Sequence, residues 1–264
     1  MNKPDILTEI AAVTRRDLEK QKRLLPPETL ASLCAAHRRG IHDFCGALKR
    51  PDRRSGTPRV IAELKKASPS SGVIRADFRP LELAPALEQA GAGALSVLTE
   101  PHFFQGAPTT LSGVAKLVKI PLLRKDFIID AYQIGQAWLW GADAVLLIAA
   151  LLDQNELRAL SRVAADYGLA VLGEAHTEAE LERLLAVAEI RAVGVNCRDL
   201  RTFRTDWDGA ARLLELIPAD KTAVAESGIA VAADLRRLPA DAFLIGTALM
   251  QAEDPAAKLK ELLS

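Results

Sequence analysis

Aromatic side chains are scarce. Seven Phe, three Trp and two Tyr make up 5% of the 264 residues. Ala and Leu abound in their place, which suits a helix-rich α/β protein. Cysteine is nearly absent too. Cys34, Cys45 and Cys197 cannot all pair with one another, and the first residues lack the pattern expected of a signal peptide. Both features point to a reducing cytoplasm. Long apolar runs are missing: the longest, Ala144 to Leu152, is too short for the roughly 20 residues that span a bilayer, so no membrane partner is expected. An excess of either charge is also lacking. The 34 basic and 34 acidic residues cancel, and there is no clustered basic face of the kind nucleic acid requires. Only residues 1–57 lean basic, with 12 Lys or Arg against 7 Asp or Glu, and that excess reads as a solvated helical face.

One spacing resembles a metal site. Cys34, His37, His42 and Cys45 form C-x2-H-x4-H-x2-C. On a continuous helix the outer pair would stand roughly 16 Å apart, whereas tetrahedral zinc needs every ligand within about 2.0–2.3 Å of one point. A break at Gly40 would be needed to gather them. Buried cysteines and surface histidines are the favoured reading, and no metal is expected.

What the chain does contain is alternation. Eight short apolar, β-branched runs recur after residue 58: Val60–Leu64, Ala94–Leu98, Leu122–Arg124, Ala144–Ile148, Ala170–Leu172, Ala192–Val195, Thr222–Ala225 and Ala242–Ile245. Helical stretches lie between them, among them Leu81–Ala90, Asn155–Tyr167, Glu178–Ala188, Gly209–Leu216 and Val231–Leu238. Strands alternating with helices mean parallel pairing through crossovers. Eight such units in about 200 residues predict an α/β protein with a (β/α)8 TIM barrel. An open doubly wound sheet is the alternative, but it would place a Gly-rich loop after the first strand, where Lys66-Ala67-Ser68-Pro69-Ser70-Ser71-Gly72 stands. Residues 1–57 form an N-terminal helical extension, with helices expected over Ile6–Arg23 and Pro27–Leu48. Residues 58–264 form the barrel, the whole making one structural domain.

Barrel chemistry sits at the C-terminal ends of the strands. The first run ends Glu63-Leu64-Lys65, and period-two alternation points Glu63 and Lys65 to one face. The third run delivers Lys125, the fifth Glu174, the sixth Asn196 and Arg198, the seventh Glu226. One charged residue at a strand end is ordinarily just solvated; seven polar residues of inward parity form a ring that shifts its members' pKa values. A lysine desolvated beside other cations would serve as a general acid near neutral pH, and a carboxylate as the base. Arg124 and Asp126, of the other parity, belong to the barrel–helix interface. After the seventh and eighth runs, Glu226-Ser227-Gly228-Ile229 and Gly246-Thr247-Ala248 combine small residues with helix starts, the pattern of a phosphate site. Phe104 and Phe127 near cationic groups suit a flat aromatic substrate, although for Phe127 ordinary core packing explains the residue equally well.

Several of these segments together resemble the indole-3-glycerol phosphate synthase family. They are Glu63-Leu64-Lys65-Lys66-Ala67-Ser68-Pro69-Ser70, Leu98-Thr99-Glu100 with Phe103-Phe104-Gln105-Gly106, Leu123-Arg124-Lys125-Asp126-Phe127-Ile128, Gly194-Val195-Asn196-Cys197-Arg198-Asp199-Leu200 and Ala225-Glu226-Ser227-Gly228-Ile229. The likeness runs in order through essentially the whole chain. It implies ring closure, decarboxylation and dehydration of 1-(2-carboxyphenylamino)-1-deoxyribulose 5-phosphate to indole-3-glycerol phosphate in tryptophan biosynthesis, without cofactor or metal. By position, Lys125 resembles the general acid at the ribulose carbonyl oxygen and Glu174 the base or proton shuttle of later steps. Lys65 resembles a substrate-binding lysine that also serves as acid in dehydration. Glu63, Asn196 and Glu226 resemble the groups that hold the network and the sugar hydroxyls. Ser68 and Arg198 match substrate-contacting positions. Phe104, Phe127, Leu146, Leu200 and Leu244 match the pocket around the anthranilate ring, and Ser227, Gly228, Gly246 and Thr247 the phosphate site. The expected partner is a phosphorylated small molecule, with the protein a monomer or weak homodimer.

The chain departs from the family pattern at a few places. Ser71 stands where the family often has lysine, and Arg79-Pro80 replaces Asp-Pro. Gly135-Gln136-Ala137-Trp138 replaces Tyr-Glu-Ala-Arg on a helix expected on the outside, where the change points to a different surface contact, and Gly173 and Ala175 flank Glu174 where bulkier residues are common. None removes a position the chemistry needs. Two other readings of the residues stand beside this one: another phosphate-binding barrel such as a sugar-phosphate isomerase, and a non-catalytic barrel.

Overall fold

The computed structural model describes residues 6–198 and 205–264. Eight parallel strands close into a barrel: β1 (Arg59–Leu64), β4 (Ala94–Leu98), β5 (Leu122–Lys125), β6 (Ala144–Ile148), β7 (Ala170–Ala175), β8 (Ala192–Asn196), β9 (Thr222–Glu226) and β10 (Ala242–Ile245). The closing pair is β1 with β10, in register Val60↔Phe243 and Ile61↔Leu244. All eight expected strands are present. Four run further than hydrophobicity alone suggested, because their last residues are Lys125, Ala175 after Glu174, Asn196 and Glu226. A two-residue antiparallel pair, β2 (Ala67–Ser68) and β3 (Gly72–Val73), sits on the loop after β1.

Period-two alternation separates two cores. Ile61, Ala94, Leu123, Ala144, Leu146, Leu172, Ala192, Val224, Ala242 and Leu244 fill the barrel interior. Their neighbours Val60, Ala62, Leu95, Leu122, Val145, Val171, Val193, Ala223 and Phe243 face the helices outside. The outer layer contains α4 (Pro80–Gln89), α5 (Pro108–Val114), α6 (Ala131–Leu139), α7 (Gln154–Asp166), α8 (Glu178–Leu185), α9 (Trp207–Glu215), α10 (Ala232–Arg237), α11 (Thr247–Gln251) and α12 (Pro255–Leu263). Short side chains start several of them by accepting the otherwise orphaned first N–H groups: Asp130 for α6, Asp153 for α7, Thr177 for α8 and Asp254 for α12. Gly173 faces outward from β7, where a Cβ would come within 2.8 Å of Leu184 Cδ2; the bulk missing from the strand is supplied by α8.

Three helices precede the barrel: α1 (Ile6–Leu24), α2 (Pro27–Ala36) and α3 (Phe44–Leu48). The expected single helix over Pro27–Leu48 is therefore two. The chain leaves helical geometry at His37 and re-enters after Asp43, whose side chain caps α3. The intervening residues are drawn into tertiary contacts instead. Arg39 Nη1 lies 3.0 Å from Asp143 Oδ1, the His42 backbone N–H donates to the same oxygen at 3.0 Å, and the Arg39 guanidinium covers the Trp138 ring at 4.5 Å. Cys34 and Cys45 end in separate apolar clusters.

The basic excess of the extension is likewise only partly a solvated face. Lys49 Nζ and Arg53 Nε reach Asp241 Oδ2 at 3.0 and 2.9 Å, and Asp241 is fully buried. Residues Gly135 to Trp138 of α6, outside the barrel, make a contact of their own with the extension. Gly135 leaves room for Leu30 and Cys34, Gln136 donates to Gln21 Oε1 at 2.8 Å, and Trp138 Nε1 donates to Cys34 O at 3.3 Å. The departures on this helix are matched by the extension packed on it. Among the described residues no helix is long and apolar enough to cross a membrane.

Candidate active site

A cavity of about 300 Å³ opens at the C-terminal ends of the strands. Its floor is set by the inward residues one step below the strand ends, Leu146 and Leu244. Its wall is the polar ring. Glu63 and Lys65 leave β1 on one face, and Lys65 Nζ donates to Glu63 Oε1 at 2.6 Å. Gly246 follows β10, the strand paired with β1, and a Cβ there would collide with the Glu63 carboxylate and the Lys65 ammonium. Gly194 on β8 does the same for Glu226: its missing side chain leaves the space that Glu226 Oε1 occupies.

Lys125 is the centre of the ring. Its Nζ lies 3.6 Å from Glu174 Oε2 and 3.8 Å from Glu226 Oε2. Asn196 Nδ2 donates to Glu174 Oε1 at 3.0 Å, and Asn196 Oδ1 accepts the Arg198 N–H at 3.0 Å. Glu174 Oε2 and Glu226 Oε1 are buried without a hydrogen-bond partner among the described residues. Buried acceptors of that kind cost about 1–3 kcal/mol each, a cost a bound donor would offset.

Burial alone would depress the Lys125 pKa, but the carboxylates of Glu174, Glu226 and Glu63 outweigh it and the net direction is upward. The sequence had suggested a lysine beside cations, with its pKa lowered; the neighbours are carboxylates, and the proton is held. Burial likewise works against the Glu174 and Glu63 carboxylates. Lys125 and His176 nevertheless bring Glu174 below its ordinary value, and Lys65 and Lys125 bring Glu63 below its own. Glu226 goes the other way. Its burial and the neighbouring Glu174 charge push it up to about 8.

The apolar side of the cavity comes from two loops. Glu100 accepts the N–H groups of His102, Phe103 and Phe104 at 2.9, 2.7 and 3.0 Å, fixing the turn that presents Phe104. Phe104 and Phe127 lie 5.9 Å apart with rings tilted by 38°. Phe127 is held by the outward residues on either side of Lys125. Arg124 pairs with Asp126 at 2.8 Å, donates to Gln133 O at 2.6 Å and lies 4.4 Å from the Trp140 ring, while Asp126 accepts the Phe127 N–H at 2.9 Å.

Ser68, Phe104, Phe127, Leu146, Arg198, Leu244, Ser227, Gly228, Gly246 and Thr247 all line this one cavity, together with Glu63, Lys65, Lys125, Glu174, Asn196 and Glu226. Leu200 lies outside the described residues. One detail differs from expectation. Ser227 and Gly228 do not begin a helix, since α10 starts only at Ala232. Both adopt left-handed backbone, φ 69° and 80°, and turn the chain at the cavity edge. Sequence reading missed three groups. Ile6, Leu7 and Ile10 of α1 line the cavity, which no local pattern in a distant helix reveals. Gly194 matters through the atom beside it. His176 sits behind Glu174, and its shared strand parity was the available signal.

The family model described as indole-3-glycerol phosphate synthase matches residues 7–262. An indole-3-glycerol phosphate synthase from Polaromonas sp. (strain JS666 / ATCC BAA-500) is 45% identical over 261 residues, covering 98% of each chain. One from Neisseria meningitidis serogroup B is 45% identical over 263 residues, covering 98% of this chain and 99% of its own. Among solved structures, a 3-hexulose-6-phosphate synthase from Salmonella typhimurium superposes with a TM-score of 0.60 at 16% identity. It covers 77% of this chain and 96% of its own, a likeness of fold alone.

Proposed function

The chain belongs to the indole-3-glycerol phosphate synthase family, and we propose that it performs the family reaction with Lys125 as general acid and Glu174 as base. The observation that carries this reading is the position of Lys125 Nζ between two carboxylates, 3.6 Å from Glu174 and 3.8 Å from Glu226, beside the Phe104–Phe127 wall. In ring closure the anthranilate ring carbon bonds to the ribulose carbonyl carbon, and the oxygen takes up a proton. An ammonium at that oxygen stabilises the developing charge and supplies the proton. Carbon dioxide then leaves and its bonding electrons restore the ring. Loss of the new hydroxyl as water needs one more donor and one acceptor, roles assigned to Lys65 and Glu174.

Glu63 keeps Lys65 in place, Asn196 orients Glu174, and Glu226 faces Lys125 and the sugar hydroxyls. Ser68 and Arg198 contact the substrate. Phe104, Phe127, Leu146 and Leu244 enclose the aromatic ring, and the backbone around Ser227, Gly228, Gly246 and Thr247 takes the phosphate. The three cysteines are free and buried, consistent with a cytoplasmic enzyme, and the reading takes it as a monomer or weak homodimer.

Purified protein mixed with the substrate should develop indole fluorescence. Silence across a range of pH with the protein folded would sink the assignment. Lys125→Met should lower kcat by more than about a hundredfold, the scale of general-acid catalysis, with KM changed far less. Near-normal turnover in that variant would remove Lys125 from the role.

A further inference from the structure

Glu174 and His176 share inward parity at the end of β7, with Ala175 turned outward between them. His176 Nε2 lies 3.6 Å from Glu174 Oε1 and has no hydrogen-bond partner among the described residues. Its Nδ1 lies 3.7 Å from Glu180 Oε2. Glu180 is placed there by the start of α8: Thr177 accepts the Glu180 N–H at 3.2 Å, and Glu180 Oε2 accepts the His176 backbone N–H at 2.7 Å. A helix-capping pattern thus sets a carboxylate behind an imidazole whose other nitrogen faces the candidate base. His176 is not part of the cavity lining.

We propose that His176 is a positioning residue for Glu174: held between Glu174 and Glu180, its imidazole keeps the Glu174 carboxylate charged and turned toward Lys125. This rests on the assignment of Glu174 as the base. The titratable groups facing His176 are Glu174 on its own strand, Glu180 from α8 and Glu226 from β9. Burial favours the neutral imidazole, but these carboxylates outweigh it, so the histidine holds its proton more firmly than usual. Glu174 in turn faces Lys125 from β5, His176, Asn196 from β8 and the Glu63 carboxylate from β1. When Lys125 gives its proton to the substrate and becomes neutral, Glu174 loses its principal counter-charge. His176 is the cation that remains beside it, and Glu174 stays ready to accept a proton in the dehydration.

The test has two arms. In His176→Gln the acidic limb of the kcat/KM profile should move up by about one pH unit, the size of one lost neighbouring charge, and kcat should fall more than KM rises. A residue that merely packs would lower activity without moving the limb, and that result would overturn the proposal. In the second arm the His176 ring is titrated by NMR, its signal assigned by loss in His176→Gln. Its midpoint should lie above about 6.5, the ordinary imidazole value, and drop in both Glu180→Gln and Glu174→Gln. An ordinary midpoint that neither variant shifts would also refute it. This arm needs no turnover, so it separates a failure of the His176 assignment from a failure of Glu174 as base, which near-normal turnover in Glu174→Gln would reveal.

Discussion

Glu226 faces the Glu174 and Glu63 carboxylates in a cavity that hides all three from water. Its pKa, pushed up to about 8 from an ordinary 4.5, has a consequence for stability. Below 4.5 the group is protonated in both folded and unfolded chains and contributes nothing. Between 4.5 and 8 the unfolded chain is ionised while the folded one still holds the proton. Unfolding then releases a proton, and stability falls as pH rises. Each unit of such a shift corresponds to about 1.4 kcal/mol. Glu226→Gln should therefore gain stability relative to the parent chain as the pH goes from 5 to 8, measured by urea unfolding at both values. An equal difference at the two pH values would contradict the shift. Glu226, Glu63, Lys65, Lys125 and Glu174 were legible in the sequence, because charges of inward parity at the ends of apolar runs have few other places to be. Gly194 was not, and Gly246 was read only as part of a phosphate site, since the space each leaves for a carboxylate on another strand has no local signal. The direction of the Lys125 shift was not legible either; it depends on which ring members end up nearest, and that is fixed by barrel closure.

The short helix α3 shows what element patterns reveal and what they miss. Phe44, Cys45 and Leu48 join the inner barrel cluster from the N-terminal end of the strands. The approach of Thr222 Oγ1, on the first residue of β9, to Cys45 O at 3.5 Å marks that position. The helix thus closes the end of the barrel opposite the cavity. Phe44 is 1% exposed, and deleting a buried aromatic ring typically costs about 3–5 kcal/mol. Phe44→Ala should lose that much in urea unfolding while KM stays near the parent value, because the charged ring lies at the other end. A loss under about 1 kcal/mol would mean that the plug is loosely packed. The apolar face of α3 was visible as helical periodicity. Its separation from α2 was not, because periodicity continues across residues 37–43 while Arg39 and His42 are recruited by Asp143 on the barrel. The existence of the eight barrel strands was readable, since buried parallel strands are uniformly apolar and punctuated by helices, while the two-residue pair β2 and β3 was not. Strand ends were set by the charged residues the site requires.

At the scale of the whole molecule, the extension touches both ends of the barrel. While α3 closes the lower end, α1 lies over the upper one. It is tied down by His102 Nε2 to Asp17 at 2.5 Å, Lys22 to Asp130 at 2.6 Å, and Tyr132 OH to Leu25 O at 2.9 Å. That docking brings Ile6, Leu7 and Ile10 to the cavity beside Phe104. The division of labour is then spatial. The strands and the residue just past β1 hold every group proposed to move a proton, and the first helix supplies apolar surface to the cavity. Weakening that surface should affect binding more than chemistry. Burying apolar area is worth about 25 cal/mol per Å², so about 60 Å² of lost contact corresponds to tenfold in affinity. A full-length Ile6→Ser/Ile10→Ser double variant should therefore raise KM by about tenfold and change kcat by much less, read from steady-state indole fluorescence. If KM stays put while kcat falls, the first helix acts on the charged ring rather than on the substrate, and the separation between a catalytic barrel and a binding lid of α1 is wrong.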